Sequence, residues 1–398
     1  MKKIYMDHAA TTPLDPEIFK EIMPYYTEIF GNANSQHLFG RESVVVVDRA
    51  RDIIAKCLGA KANEIYFTSG GTESDNWAIR GVAKAHAHKG KHLIVSAIEH
   101  PAMLTTAKEL EKEGFEVTFA EVDEYGTVDL EKLKKAIRKD TIFIGIMYAN
   151  NEIGTIQPIE EISKIAQEHG IVFFTDAVQA AGVLKIDVKN PKVDMLSLSG
   201  HKFYGPKGVG VLYIRSGLKI DKILTGGHQE RAMRGGTTNV PGILGLALAL
   251  EKAVKEMDEN NRHVTALRDH FIHRVQTEIP HVILNGHPTN RLPANANFAF
   301  RFIEGESLLF SLDMHGIAIS SGSACSSGSL EPSHVLLAIG LPEGTAHGSL
   351  RFSFGKHNTM EEVDYTVDKL KEIIVRLRDL SPIFPKTEKN VVFDKKAN

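Results

Sequence analysis

Between residues 64 and 215, short apolar runs alternate with amphipathic stretches, and this alternation constrains the fold more than any other feature of the chain. Strands are expected at 64–68, 92–96, 116–120, 141–148, 171–175, 195–199 and 209–214, with helices between them at 72–85, 102–113, 130–138 and 159–169. Such a sequence makes an α/β protein whose mostly parallel, seven-stranded sheet is covered on both faces. In the helix at 72–85, Trp77, Ala78, Gly81, Val82 and Ala85 fall on one face at helical spacing, so that stripe is core. A long helical region at 239–279 follows, then strands near 295–302 and 349–353, a helix near 306–314 and a terminal helix at 359–380. This divides the chain into a large domain, 16–255, and a smaller α+β domain, 256–380, joined by residues 1–15. Residues 381–398, polar and proline-containing, read as a flexible tail.

Ligands of open parallel sheets bind beyond the carboxyl ends of the strands, and the polar residues of this chain crowd there. Thr68-Ser69-Gly70-Gly71-Thr72-Glu73-Ser74 runs from a strand directly into a helix. Glycines admit an anion to backbone amides and the helix N-terminus favours negative charge, so this segment suits a phosphate; an ordinary cap by Thr72 or Ser74 is the alternative. It is not a Walker loop, because no lysine follows the glycines. Ser199-Gly200-His201-Lys202-Phe203 closes another apolar strand. Poor solvation there favours the neutral amine of Lys202, a nucleophile toward an aldehyde cofactor, although the pentad alone equally allows a turn lysine. His100 ends a strand where it can stack on a flat ring, or can simply bond to backbone. Asp176 closes the run Ile171-Val172-Phe173-Phe174-Thr175, an expensive place for a carboxylate unless it meets a cation such as a protonated pyridine nitrogen. Phosphate cup, stacking histidine, acid and lysine together fit one ligand, pyridoxal 5'-phosphate.

A second centre lies at residues 320–329, where serine and glycine surround Cys325. Nothing adjacent in sequence could bury that thiol, which favours a reactive cysteine on a mobile loop. Cys57, in an apolar helical stretch, reads as inert core. Arg351 alternates with apolar residues in a strand and can grip a substrate carboxylate in two-pronged fashion, or pair on an outer sheet face. His86 and His88 do not share a helix face, so they and His92 make no metal site. No metal is expected.

The formal net charge of −3 gives no reason to expect nucleic acid or an anionic membrane as partner. No apolar segment follows the basic start, and two cysteines cannot build a disulfide framework or a zinc cluster, so a cytoplasmic enzyme is expected.

Taken together, Tyr5-Met6-Asp7-His8-Ala9-Ala10-Thr11-Thr12, Gly31 to His37, 68–74, Asn150-Asn151-Glu152-Ile153-Gly154, 199–202, Arg234-Gly235-Gly236-Thr237 and Ser321-Gly322-Ser323-Ala324-Cys325 resemble the cysteine desulfurases of the NifS/IscS type, group I, within the class V aminotransferases. The resemblance implies a homodimer of PLP-dependent fold type I, the aspartate-aminotransferase-like fold. It implies conversion of L-cysteine to L-alanine, with sulfur passed as a cysteine persulfide to acceptor proteins for Fe–S cluster assembly or tRNA thiolation. By position, Lys202 would hold the cofactor and move protons, His100 would stack on its ring, and Asp176 and Gln179 would meet its nitrogen and phenolic oxygen. Gly71, Thr72, Ser199 and His201 would hold the phosphate, with Thr237 reaching the partner subunit's cofactor. Asn34, Asn151 and Arg351 would bind substrate, and Cys325 would take its sulfur. Ala33, where a proline is common, and Gly236-Thr237-Thr238 depart from the family pattern without touching these groups. Selenocysteine lyase or another fold-type I activity is the rival within this chemistry, and a non-catalytic scaffold the rival outside it.

Overall fold

The computed structural model describes residues 3–321 and 331–385. Its central sheet contains Ile65–Thr68 (β1), His92–Ser96 (β2), Glu116–Ala120 (β3), Thr141–Gly145 (β4), Val172–Asp176 (β5), Met195–Ser199 (β6) and Gly210–Ile214 (β7). The spatial order is β1-β7-β6-β5-β4-β2-β3, parallel except where β7 runs against β6 and β1. β2, β4, β5, β6 and β7 are buried throughout, as strands covered on both faces must be.

One face packs against helices Leu38–Leu58 and Val240–Lys255, joining Ile54, Leu58, Ile144, Phe173, Leu196, Leu246 and Leu250 in one core. The other packs against helices Gly71–His86 and Pro101–Lys112 through Trp77, Val82, Met103, Phe143 and Phe174. The helical region at 239–279 is two helices, Val240–Lys255 and Met257–Glu278, broken at Glu256.

A second, antiparallel sheet contains Val282–Asn285 (β8), Asn295–Phe300 (β9), Ser320–Ser321 (β10) and Ser349–Ser353 (β11), in the order β10-β11-β9-β8. Helices Met257–Glu278 and Met360–Leu380 cover it around Phe271, Phe298, Phe352 and Leu370. The N-terminal chain joins this unit: Ile4–Tyr5 pairs with Ile317–Ala318, and Asp7 bridges to Ser353. Residues 6–12 then pass under the carboxyl ends of the central strands, where Thr12 bonds the carbonyl of His201 at 2.9 Å. Among the described residues, no helix is long and apolar enough to cross a membrane.

Candidate active site

A cavity of about 420 Å³ opens at the carboxyl ends of β5 and β6. It is lined by Gly71, Thr72, His100, Asn151, Asp176, Gln179, Ser199, His201, Lys202 and Arg351, all expected from sequence, and also by Asp7 and Asp75. Asn34 and Thr237 lie outside it, both exposed, and Thr237 lines a separate depression beside Ser69 and Gly208. Cys325 lies outside the described residues.

At the expected phosphate cup, helix Gly71–His86 begins without a side-chain cap: Gly70 precedes it, and neither Thr72 nor Ser74 caps it. Its first amide donors therefore remain available to an anion. Space is as tight as the glycine pair suggested. A Cβ on Gly71 would stand 2.8 Å from Val178 Cγ2, and one on Gly210 would stand 2.6 Å from Gly70 Cα. Glu73 in the first turn accepts both prongs of Arg234 at 2.8 and 3.0 Å, tying the 234–237 segment to the cup.

Lys202 sits in a short turn, Gly200–Lys202, directly after β6. Its Nζ donates to the carbonyls of Ala9 and Ala10 at 2.6 and 2.8 Å, and Gln179 Nε2 donates to Ala9 at 3.0 Å. His100 precedes helix Pro101–Lys112, and its Nδ1 accepts the Ala102 amide at 3.1 Å. Burial, with Lys202 nearby, pushes the His100 ring down to about 4, so it is a neutral, flat surface at pH 7. His201, bonded to Thr11 Oγ1 at 3.0 Å, is likewise pushed down to about 4, first by burial and then by Lys202 and Lys207.

Asp176 ends β5, in register with Ser197 on β6. Its Oδ1 accepts the Val178 amide at 2.8 Å, so the residue stabilises the following turn and lines the cavity at once. Burial raises Asp176 to about 6, against the pull of that amide and of Lys202. Asp75, also buried, is raised well above the carboxylate range by burial and then by the nearby Asp176. A pair of carboxyls this close favours a single negative charge. The sequence reading missed Asp75, although it lies one turn before Ala78 of the apolar stripe and is buried with it. A carboxyl in a core stripe was the available signal.

Glu99 and Glu152 are two further buried acids that the reading missed. Glu99 accepts from Ser96 Oγ at 2.5 Å and from the Met147 amide at 2.7 Å, and burial raises it to about 8. Glu152 accepts from Ser333 Oγ at 2.5 Å and is raised by burial to about 7. Arg351, 2 % exposed on β11, donates to the Asn151 carbonyl at 2.9 Å and to Asp7 Oδ1 at 3.0 Å. Arg351 thus lines the cavity while forming an ion pair with Asp7.

Outside the cavity, His86 bonds the Lys219 carbonyl, and His92 is held between Thr141 and Thr118. The Cys57 thiol is pushed up to about 11 by burial, consistent with inert packing.

The donor set fits pyridoxal phosphate on its own chemistry: an uncapped helix start with a cradle that a Cβ would fill, a neutral histidine, a buried acid and a lysine converge on one space. The family model for class-V aminotransferases matches residues 4–366. The chain is 55 % identical to the cysteine desulfurase IscS of Dictyoglomus turgidum over 381 residues, 96 % of this chain and 97 % of that protein. It is 56 % identical to the cysteine desulfurase IscS of Methanosarcina thermophila, over 97 % of this chain and 95 % of that one. A solved NifS-like protein superimposes with a TM-score of 0.89 at 39 % identity, over 94 % of this chain and 100 % of that one.

Proposed function

This chain belongs to the class-V aminotransferase family as one of its pyridoxal-phosphate-dependent cysteine desulfurases, and from that premise we propose that it passes the sulfur of L-cysteine through a Cys325 persulfide to an acceptor protein. The reading is supported above all by the convergence of Lys202, Asp176, His100, Gly71, Thr72 and Arg351 on one cavity.

In this reading Lys202 would hold the cofactor at its aldehyde carbon until the substrate amine replaces it and frees the lysine to move protons, Asp176 would meet its ring nitrogen, His100 its ring face and Gln179 its phenolic oxygen. Gly71, Thr72, Ser199 and His201 hold the phosphate. Bound there, the cofactor withdraws electrons from the substrate α-carbon. Arg351 and Asn151 orient the substrate, Arg351 through its carboxylate, and fixing that geometry removes an entropic part of the barrier. The Cys325 thiolate forms a bond to the substrate sulfur as the carbon–sulfur bond breaks. The electron pair stays with carbon, and a proton delivered by Lys202 completes alanine.

The working unit is a homodimer. Phe19, Met23, Tyr26, Phe30, Leu38 and Val45 are all exposed along the N-terminal helices and the loops between them, an apolar surface that a second copy would cover. Thr237, exposed beside the cup, would reach the partner's phosphate, and Asn34 would complete the partner-adjacent substrate pocket. The acceptor is an Fe–S scaffold or a tRNA-thiolation enzyme.

The test is sulfide release from L-cysteine by the holoenzyme under reducing conditions. Cys325→Ala is expected to lose at least about two orders of magnitude with cofactor occupancy retained. Unchanged release would overturn the persulfide route.

A further inference from the structure

We propose that Asp7 determines specificity at this site, holding Arg351 for a single carboxylate and rejecting amino acids that bring a second one. The proposal rests on the desulfurase reading and adds to it the charge class of the substrate side chain.

Arg351 is fixed on both sides of its strand, paired in register with Asn297 on β9 and Ser320 on β10. Two of its nitrogens are engaged, by Asn151 and Asp7, while the buried Nε has no hydrogen-bond partner. A buried guanidinium donor left unpaired beside a cavity is a place for an incoming carboxylate. Asp7 arrives from the N-terminal segment, anchored by its bridge to Ser353, and its Oδ1 also accepts Ser320 Oγ at 2.8 Å. The carboxylate of Asp7 therefore stands fixed at the wall where the substrate's own carboxylate must land.

With the phosphate on the amides of the cup and the substrate carboxylate on Arg351, the cavity lining offers no cation for a further anion. Among its described lining residues, the lysine and arginine are Lys202 and Arg351. Lys202 is held by two backbone carbonyls and is committed to the cofactor. His100 and His201 are half-buried beside Lys202, and both are pushed down to about 4, so neither adds a positive charge at neutral pH. The acids are Asp7, Asp75 and Asp176. A substrate with one carboxylate spends it on Arg351. A second carboxylate would enter a poorly screened space facing Asp7 without a cation of its own, whereas a thiol side chain meets no such repulsion.

The test uses the holoenzyme and two unreactive probes, L-alanine and L-aspartate, with dissociation constants read from the visible absorbance of the bound cofactor. The wild type is expected to bind L-aspartate at least about tenfold more weakly than L-alanine, and Asp7→Asn to shrink that ratio by at least about tenfold. A purely structural role would weaken both probes together and leave the ratio unmoved, which would overturn the proposal. Equal binding of the two probes by the wild type would also overturn it, whatever the fate of the variant. Failure of the desulfurase reading itself appears separately, as absent sulfide release from L-cysteine by the same wild-type preparation.

Discussion

Asp75 and Asp176 share one serine hydroxyl: Ser197 Oγ lies 2.6 Å from Asp75 Oδ1 and 3.5 Å from Asp176 Oδ1. The two carboxyls come from different elements, a helix after β1 and the end of β5, and burial raises both. A cation at Asp176, such as a protonated ring nitrogen, would leave the shared proton on Asp75.

Without cofactor this pair costs stability as pH rises. The unfolded chain releases the Asp176 proton near 3.8 and the folded chain near 6, so the folded state binds more protons in between and loses stability across that window. Asp75→Asn removes the repulsion, so the variant apoprotein should be more stable than wild type by about 1–3 kcal/mol at pH 8 and equal to it at pH 4. Urea unfolding at both pH values measures this; parallel curves for the two proteins would contradict it.

The histidines act with the opposite sign. His8, His100 and His201 are each pushed from 6.5 down to about 4, by burial first. The unfolded chain binds the extra protons, so their contribution to stability is lost as pH falls from about 6.5 toward 4. Ring signals in NMR should titrate near 4 for all three. Titration of His100 near 6.5 would mean that the ring is charged under working conditions and is not the neutral surface described.

Gly71→Ala puts a methyl group 2.8 Å from Val178 Cγ2, on the turn that Asp176 stabilises. Overpacking of this kind costs about 1–3 kcal/mol, and cofactor affinity should fall by at least about tenfold because the cup and the acid move together. Adding Val178→Ala should restore much of both. Equilibrium titration of apoprotein with cofactor measures the effect; wild-type affinity in Gly71→Ala would show that the cradle is looser than its geometry.

How much was legible in sequence follows from the range of the forces involved. The strands at His92–Ser96 and Met195–Ser199 have the expected bounds because burial on two faces keeps their runs mostly apolar, and the half-exposed Glu116–Ala120 was found through its Val117 and Phe119 alternation. Lys202, His100 and Asp176 could be placed because each follows such a run at the end of the sheet where ligands bind. Partners distant in sequence left no local mark. The Asp7–Arg351 pair spans 344 positions, and the hold of Ala9 and Ala10 on Lys202 depends on the N-terminal segment crossing under the strands. Helix Leu38–Leu58 went unassigned as a whole, because Ser43 and Arg51 interrupt its buried stripe; Arg51 pairs there with Glu230 at 2.9 Å. Asn34 and Thr237 lie outside the cavity, Thr237 in a separate depression beside Ser69 and Gly208.

The most direct test of the account follows sulfur to its first protein atom. Holoenzyme given sulfur-labelled L-cysteine without reductant, then mapped by peptide mass, should carry one added labelled sulfur on Cys325 and none on Cys57, whose thiol burial holds up to about 11. The label should vanish in Lys202→Ala. Alanine formed by the wild type with Cys325 unlabelled, or label on Cys57 instead, would contradict the account.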